Sequence, residues 1–267
     1  MSTFSKADLL DYILNNSSSR HIILIDPDSQ TSEEAAERCI AAVEAGSRMI
    51  FVGGSTGTDS NNVHETVSSI QKSLIFHSLN SPSPKPNFWK IPVILFPAAA
   101  NAFSSAADGI TFMMLMNSTS PKFLVEEQMK GAPAIKEAGV VPISMGYVVC
   151  APGGKVGEVG KANLIQKDEI EKIKAYAICA ESYGFSLLYL EAGSGAQEPV
   201  SLQLISAAKS VTDITIIVGG GIRDGESARL AIEAGADWVV TGNLTEGFSD
   251  TQELQTTLQK FITEMNS

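Results

Sequence analysis

Cysteine is scarce in this sequence of 267 residues, which argues against a small secreted domain held together by disulfides. The three cysteines, Cys39, Cys150 and Cys179, are odd in number, lie far apart and have apolar neighbours. Disulfide-stapled secreted domains instead carry an even number of cysteines at short spacings. We therefore predict that all three are buried free thiols of a protein in a reducing compartment.

Positive charge is also scarce, which limits the partners of the protein. The 19 lysines and arginines are outnumbered by 30 aspartates and glutamates, so the formal net charge is −11. Such a chain does not bind nucleic acid by charge, and it does not dock electrostatically on anionic lipid. We expect no nucleic-acid partner and at most peripheral membrane contact. An anionic substrate would need local backbone amides, a metal ion or a few placed cations.

Long apolar runs are missing as well. The longest, "IPVILFPAAANAF" and "GITFMMLMN", are too short to cross a bilayer, and the opening "MSTFSKADLLDYILNN" lacks the apolar core of a signal peptide. With 44% hydrophobic and 18% charged residues, the chain has the material for a large core and is not typical of disorder. The sequence favours a cytoplasmic globular protein.

Histidine and cysteine do not combine into a zinc site. His21 opens an apolar run, whereas His64 and His77 fall in one helical stretch, too far apart to share a metal ion. The sequence contains no Cys-x-x-Cys and no His-Glu-x-x-His motif. We therefore predict that zinc has no role here.

The chain does have eight short apolar runs, each followed by glycine, proline, serine or aspartate and then a helical pattern. The runs are continuous rather than alternating, which is typical of buried parallel strands. Eight such units with right-handed crossovers predict a (β/α)8 TIM barrel formed by one domain over residues 1–267. An open, doubly wound sheet is the alternative. The runs begin at His21, Arg48, Pro92, Gly109, Ile143, Ser186, Thr215 and Asp237.

The ends of the seventh and eighth runs predict a phosphate site. "VGGGIRDGESA" places three glycines before a helix that begins near Gly225, and "VVTGN" places Gly242 at the next strand end. Glycines let backbone amides approach an anion, helix N-termini favour negative charge, and these two loops recur as the phosphate site of barrels. Glycines also serve tight turns, which is the alternative for each loop alone.

The end of the sixth run, "YLEAGSGA", combines a carboxylate with a loop of small residues. The amides of Gly193 and Gly195 and the Ser194 hydroxyl are placed to complete the phosphate cradle. Glu191 is repelled by phosphate, but it can accept a proton from a hydroxyl on the same molecule. The alternative is a carboxylate that caps the helix near Pro199.

The residues at the ends of the first two runs predict a Mg²⁺ site. Asp26 ends an apolar run, with Asp28 just beyond, and Ser55 ends the neighbouring run. Mg²⁺ takes few protein carboxylates and leaves the rest of its shell to phosphates and water. The alternative for Asp26 is the N-cap of a helix that starts near Ser32.

Several of these motifs together resemble one family. In order along the chain they are "LIDPD", "FVGGSTG", "LFPAAANAFSSAADGITFMMLMNS", "YLEAGSGA", "IVGGGIRDGESA" and "VVTGN". They resemble the geranylgeranylglyceryl phosphate synthases, and the similarity covers nearly the whole chain. The resemblance implies Mg²⁺-dependent transfer of a polyprenyl group to sn-glycerol 1-phosphate, with geranylgeranyl diphosphate as the expected donor.

The same resemblance implies roles for individual residues. Asp26 and Ser55 resemble the metal-binding pair. Glu191 resembles the residue that activates the acceptor hydroxyl, and Tyr189 joins it as a catalytic residue. The implied glycerol-phosphate site consists of Tyr189, Leu190, Glu191, Ala192, Gly193, Ser194, Gly195, Gly220, Gly221, Gly242 and Asn243.

The sequence departs from some members at one position. Some members carry a lysine that contacts phosphate at the position of Leu24. The leucine matches the branch of the family whose members read "LIDP". We expect Arg223 to supply part of the missing phosphate contact. This branch implies a homo-oligomer, a dimer or more often a hexamer. We also expect an apolar groove near Phe96, Phe103 and Phe112, and a mobile lid or a plain solvated loop over 151–166.

Two other functions fit parts of the pattern. A phosphosugar isomerase or cyclase barrel shares the glycine-rich phosphate loops, but it is expected to pair acids on strand ends one and five. The end of the fifth predicted strand here reads "CAPGG", which has no acid. A non-catalytic barrel that binds a phosphorylated metabolite is the second alternative, and Glu191 together with Asp26 weighs against pure binding.

Overall fold

Eight strands follow one another in chain order around a closed barrel in the computed structural model. The predicted TIM barrel is confirmed, and the open doubly wound sheet is wrong. Each of the eight apolar runs contributes one strand. The strands are β1 (His21–Ile25), β2 (Met49–Val52), β3 (Val93–Leu95), β4 (Gly109–Leu115), β5 (Val141–Val149), β6 (Leu187–Glu191), β7 (Thr215–Gly219) and β8 (Trp238–Thr241).

Helices connect most of these strands, but in the described residues turns and bends join β3 to β4, and two helices lie between β5 and β6. The structure describes residues 4–15, 20–54, 57–81, 87–242, 244, 248 and 250–267. A π-helical turn, Lys122–Glu126, leads into the fourth helix. The helices are α1 (Lys6–Asn15), α2 (Ser32–Ala45), α3 (Ser60–Asn80), α4 (Glu127–Ala138), α5 (Gly154–Val159), α6 (Ile170–Ser182), α7 (Leu202–Lys209), α8 (Gly225–Glu233) and α9 (Thr251–Met265).

The strands are buried on both faces, which explains why their sequences do not alternate. Every residue of β2, β3, β6, β7 and β8 is buried. Parallel pairing is in register from β5 through β6 to β7, so Val149 lies beside Glu191 and Glu191 beside Gly219. In a parallel barrel the chemistry gathers where the strands end, and these three residues all close their strands.

The chain divides into two compact units. The first comprises Met1–Thr111, Gly131–Pro142 and Thr245–Ile262, and the second Phe112–Lys130, Ile143–Leu244 and Thr263–Ser267. Asp26 belongs to the first unit, and the predicted acceptor residues from Tyr189 to Gly242 belong to the second.

The cysteines differ from the prediction in one respect. All three are free thiols, and Cys39 and Cys150 are buried, but Cys179 is exposed. The buried stripe of α6 consists of Ile173, Ala177 and Ala180, and Cys179 lies beside this stripe on the solvent side. An apolar sequence context was therefore not enough to place that thiol in the core.

Among the residues that the structure describes, no helix combines the length and the apolar character needed to cross a bilayer.

His21 makes the folded protein sensitive to acid. Its ring is fully buried in β1, with Nδ1 2.7 Å from Ser47 Oγ, and burial lowers its pKa to about 3. Below the unfolded pKa of about 6.5 the unfolded chain takes up a proton that the folded chain refuses. Stability is therefore lost as pH falls from about 6.5 toward 3, by roughly 3 kcal/mol at pH 4.

This prediction can be checked by denaturant unfolding at pH 7 and pH 4. We expect His21→Gln to be less stable than wild type at pH 7, but to lose about 3 kcal/mol less on acidification. His64→Gln, which replaces an exposed histidine, is the control and should keep the wild-type loss. An equal loss in His21→Gln and wild type would contradict the assignment.

Candidate active site

Glu191 closes β6 inside a small cluster of polar side chains. The register of β5 and β6 places Tyr147 beside Tyr189 and Val149 beside Glu191. Side chains alternate along a strand, so Tyr189 and Glu191 share one face and Leu190 takes the other. The two tyrosine rings lie 5.0 Å apart between centroids, and both are buried. The side chain of Leu190 therefore points away from the carboxylate, and only its backbone lies near the cluster.

Both oxygens of the Glu191 carboxylate have donors. The backbone N–H of Gly193 donates to Oε1 at 2.6 Å, and the Tyr147 hydroxyl donates to Oε2 at 3.3 Å. The Tyr189 hydroxyl donates to the same carboxylate. Helix α7 has its N-cap at Ser201, so the alternative of Glu191 as a helix cap is wrong.

The surroundings of Glu191 favour its protonated form. Burial raises the pKa of its carboxyl, and the hydrogen bonds from Gly193, Tyr189, Tyr147 and the Ala192 amide lower it only in part. The side chain is 7% exposed. A carboxylate whose pKa is raised by burial is a stronger base than an exposed one, which suits proton transfer.

Gly220 leaves the space that this carboxylate occupies. Its φ is +81°, and a Cβ built there would lie 2.2 Å from Glu191 Oε1 and 2.7 Å from the nitrogen of Gly193. No other residue type fits both the left-handed backbone and this close approach. The second glycine of "GGG" is thus required by the carboxylate of the neighbouring strand.

The predicted glycerol-phosphate residues form a buried and an accessible group. Tyr189, Leu190, Glu191, Ala192 and Gly193 are buried. Ser194, Gly195, Gly220, Gly221 and Gly242 are exposed or half-exposed, whereas Asn243 lies outside the described residues. A phosphate that enters from solvent would therefore meet the second group, and a hydroxyl deeper in the site would meet Glu191.

Two predicted phosphate donors have partners within the chain. A phosphate contact through the Gly193 amide would require it to give up its bond to Glu191. Helix α8 begins at Gly225 as predicted, but its N-cap Asp224 accepts a hydrogen bond from the Ser227 amide at 2.7 Å. The phosphate site therefore depends on the glycine loops rather than on the first turn of α8.

Arg223 holds the loop after β6. Its Nη2 donates to the carbonyl oxygens of Ala196 at 3.1 Å and Gly195 at 3.4 Å. A positive charge thus lies beside the accessible glycines and serine of that loop. In this arrangement the guanidinium anchors the loop backbone, while its direct contact with phosphate stays a prediction.

Asp26 lies half-buried at the end of β1, against the loop after β2. Its Oδ1 accepts a hydrogen bond from the Asp28 amide at 3.0 Å. A Cβ at Gly54 would lie 2.3 Å from each carboxylate oxygen, so this glycine leaves room in front of Asp26. Ser55, the other predicted ligand, lies outside the described residues.

The N-cap alternative for Asp26 is wrong. Helix α2 is capped by Thr31, which forms a reciprocal capping box with Glu34. Within the described ranges, no group of three or more histidine, cysteine, aspartate or glutamate side chains is arranged to hold a metal ion. A site at Asp26 would therefore use few protein carboxylates.

The segment 151–166 contains structure of its own. Helix α5 lies within it, and it is bonded to the loop after β4 at several points. The Ser118 hydroxyl donates to Gly160 O at 2.6 Å, the Thr119 amide to Lys161 O at 3.0 Å and Asn117 Nδ2 to Asn163 O at 2.9 Å. The plain solvated loop is wrong. Opening as a lid, which stays a prediction, would break these bonds.

The described residues around Phe103 line a polar cavity rather than the expected apolar groove. The segment 97–108 forms turns and bends instead of helices, and Phe96 stacks on Phe51. Phe103 borders a cavity of about 310 Å³ whose other walls are polar: Ser60, Asn61, His64, Glu65, Ser104 and Ser105. Polar walls do not suit a prenyl tail, because burying them against hydrocarbon leaves hydrogen bonds unmade.

Sequence reasoning missed Tyr147. It lies inside β5 rather than at the strand end, where the predicted site residues were placed and where β5 offers no acid. The available signal was a phenol in an otherwise apolar run, two residues before the strand end. With a spacing of two along each strand, Tyr147 and Tyr189 approach the same carboxylate from neighbouring strands.

The similarity to known proteins covers most of the chain. The model of the PcrB family matches residues 14–261. The geranylgeranylglyceryl phosphate synthase of Methanosarcina barkeri is 40% identical over 242 residues, which are 90% of this chain and 92% of that protein.

Two solved structures are similar over nearly their whole length. Wild-type GGGPS from Thermoplasma volcanium has a TM-score of 0.85 and 37% identity, covering 99% of this chain and 98% of the other. The (S)-3-O-geranylgeranylglyceryl phosphate synthase from Thermoplasma acidophilum, solved with sn-glycerol-1-phosphate, has a TM-score of 0.83 and 35% identity, covering 98% of each chain.

Proposed function

The chain belongs to the PcrB family, and we propose that it joins a polyprenyl group from a diphosphate donor to the primary hydroxyl of sn-glycerol 1-phosphate. Its relatives establish the enzyme class, a prenyltransferase of the geranylgeranylglyceryl phosphate synthase type. The observation that carries the proposal is a buried carboxylate, Glu191, directly below a loop of accessible glycines.

The acceptor binds by its two ends in this proposal. Its phosphate lies on the amides of the loops after β6, β7 and β8, where Gly195, Gly220, Gly221 and Gly242 leave the backbone accessible. Its primary hydroxyl reaches Glu191. The site thereby fixes the hydroxyl oxygen relative to the reacting carbon of the donor, which supplies much of the rate enhancement in a two-substrate reaction.

The bond changes balance with Glu191 as base. The bond between C1 of the prenyl group and the diphosphate oxygen breaks, and diphosphate leaves with the electron pair. The acceptor oxygen forms the new bond to C1, and its proton passes to the Glu191 carboxylate. A carboxylate with a raised pKa holds that proton well, so the proton does not return to the ether oxygen.

The residues at Asp26 fit a magnesium ion. Carboxylate oxygen is the donor that Mg²⁺ prefers, and Gly54, which has no side chain, lets the half-buried Asp26 carboxylate lie against the loop after β2. We propose Asp26 and Ser55 as its protein ligands. When bound, Mg²⁺ would neutralise charge on the diphosphate leaving group.

Product formation tests the proposed function. The protein is incubated with sn-glycerol 1-phosphate, Mg²⁺ and allylic diphosphates of several chain lengths, and the ether product is identified by mass spectrometry. We expect a prenyl ether at the primary hydroxyl, with geranylgeranyl diphosphate as a preferred donor. Absence of an ether product with every donor would overturn the proposal.

The metal role makes a separate prediction. Asp26→Asn is expected to raise the Mg²⁺ concentration for half-maximal transfer about 10-fold or more, because the amide oxygen of asparagine carries no negative charge to attract the ion. Asp59→Asn is the control, since asparagine also caps helices and Asp59 caps α3. An unchanged magnesium curve in Asp26→Asn would refute its role as a ligand.

A further inference from the structure

We propose that Tyr147 is a positioning residue for the acid–base step: its hydroxyl holds Oε2 of Glu191 in place and stabilises the ionised carboxylate that receives the acceptor proton. This inference rests on the proposed function, in which Glu191 is the base. It concerns a residue of β5, one strand away from the loop that carries the acceptor.

The fold leaves Tyr147 little freedom. Its side chain is 4% exposed, and its ring packs against Tyr189 at 5.0 Å between centroids and an interplanar angle of 48°. The register of β5 and β6 sets Tyr147 opposite Tyr189, so the two rings enter the cluster at the same height. A phenol held in this way presents its hydroxyl to Glu191 in a fixed direction.

The two carboxylate oxygens are held unequally. Oε1 receives the Gly193 amide at 2.6 Å, a short bond to a backbone group that cannot move. Oε2 receives the Tyr147 hydroxyl at 3.3 Å, which is long for an O–H donor. The Tyr189 hydroxyl and the Ala192 amide also donate to this carboxylate, so Tyr147 is one of several donors that hold it in place.

The charges around Glu191 make it the titrating group of the cluster. Burial and the nearby Glu191 charge raise the pKa of the Tyr147 hydroxyl on β5 well above 10, and they raise the pKa of Cys150, just after β5, to about 12. On β6, the pKa of Tyr189 is raised in the same way. The residue that approaches from the β7 side is Gly220, which carries no charge.

Tyr147 consequently remains a donor across the working range of pH. A donor that faces an ionised carboxylate stabilises that form and resists protonation. When the carboxylate takes the acceptor proton, the hydroxyl bond from Tyr147 loses its charge assistance. Removal of the hydroxyl should thus favour the protonated, inactive Glu191 in the resting enzyme.

The test is the pH profile of Tyr147→Phe. We expect the acid limb of kcat/KM to move to higher pH, so that the variant is about 5-fold slower than wild type at pH 6 and within about 2-fold at pH 9. The KM for sn-glycerol 1-phosphate should change little, because the phosphate loops are untouched. Tyr183→Phe, at an exposed tyrosine, is the control and should follow the wild-type profile.

An infrared titration gives a second measurement that does not need turnover. The band of the protonated Glu191 carboxyl, identified by its loss in Glu191→Gln, should persist to higher pH in Tyr147→Phe than in wild type. Thermal unfolding of Tyr147→Phe confirms that the variant is folded.

The outcomes separate the two proposals. Wild-type protein that forms no ether overturns the proposed function, and the infrared titration then still decides whether Tyr147 stabilises the ionised carboxylate. If wild type forms ether but the acid limb and the infrared band stay unshifted in Tyr147→Phe, the positioning role is overturned. An equal loss of rate at all pH values would also overturn it, since only packing would then be affected.

Discussion

Glu191→Gln is expected to lower kcat at least ~100-fold while sn-glycerol 1-phosphate still binds. Glutamine has the same shape, and its amide oxygen can still accept the Gly193 hydrogen bond that now holds Oε1. It cannot accept the hydroxyl proton, however. The loss therefore falls on turnover, which is measured by steady-state transfer, rather than on affinity, which is measured by titration calorimetry.

Glu198→Gln is the matched control for this experiment. Glu198 lies seven residues further along, is exposed, and its carboxylate pairs with Lys167 at the surface. Exposed ion pairs contribute little to stability, so this variant should retain wild-type kcat within about 2-fold. Near-normal turnover in Glu191→Gln would show that the carboxylate has a structural role only.

The second large effect is expected for Gly220→Ala. The added methyl group would lie 2.2 Å from Glu191 Oε1, so either the carboxylate or the glycine loop must move. Displacement of a base by about 1 Å is enough to reduce turnover ~100-fold. We expect a loss of this size in kcat, together with weaker binding of sn-glycerol 1-phosphate, because the same loop presents the phosphate amides.

Gly184→Ala separates backbone strain from the clash. Gly184 has a φ of +74°, close to the +81° of Gly220, but a Cβ built there meets no atom within 4 Å. Both variants should lose about 1 kcal/mol of stability from the left-handed backbone. Only Gly220→Ala should also lose turnover. A similar, small effect of both on turnover would contradict the close packing of Gly220 on Glu191.

The repeated pattern of the sequence was sufficient to predict the barrel. Each apolar run became a strand because a strand covered on both faces needs apolar residues at every position, as β6 and β7 show. The helix after "GGGIRD" also begins where predicted, at Gly225. These features depend on local composition and spacing, which a single sequence contains.

The contacts that tune the site could not be predicted in the same way. The Gly193 amide was expected to face phosphate, but it turns back to the carboxylate two residues earlier. Tyr147 joins the cluster only through the register between two strands that are distant in sequence. Such pairings are fixed by tertiary packing, because a shift of one residue would turn Tyr147 to the other face of the sheet.

Capping residues were missed for a related reason. Asp26 and Glu191 each stand just before a helix in the sequence, so each had a cap as an alternative. Helix α2 is instead capped by Thr31 with its reciprocal partner Glu34, and the N-cap position of α7 is Ser201, whose side chain makes no capping bond. The loop path between strand and helix decides which residue reaches the first helical amides, and several polar residues were within range in the sequence.

The most direct test of the account is the distance between Glu191 and the acceptor hydroxyl in a crystal structure of this protein with sn-glycerol 1-phosphate. We predict that the phosphate lies on the amides of the loops after β6, β7 and β8, with the primary hydroxyl within about 3.2 Å of a Glu191 carboxylate oxygen. A phosphate bound at these loops with its primary hydroxyl beyond the reach of Glu191 would contradict the account.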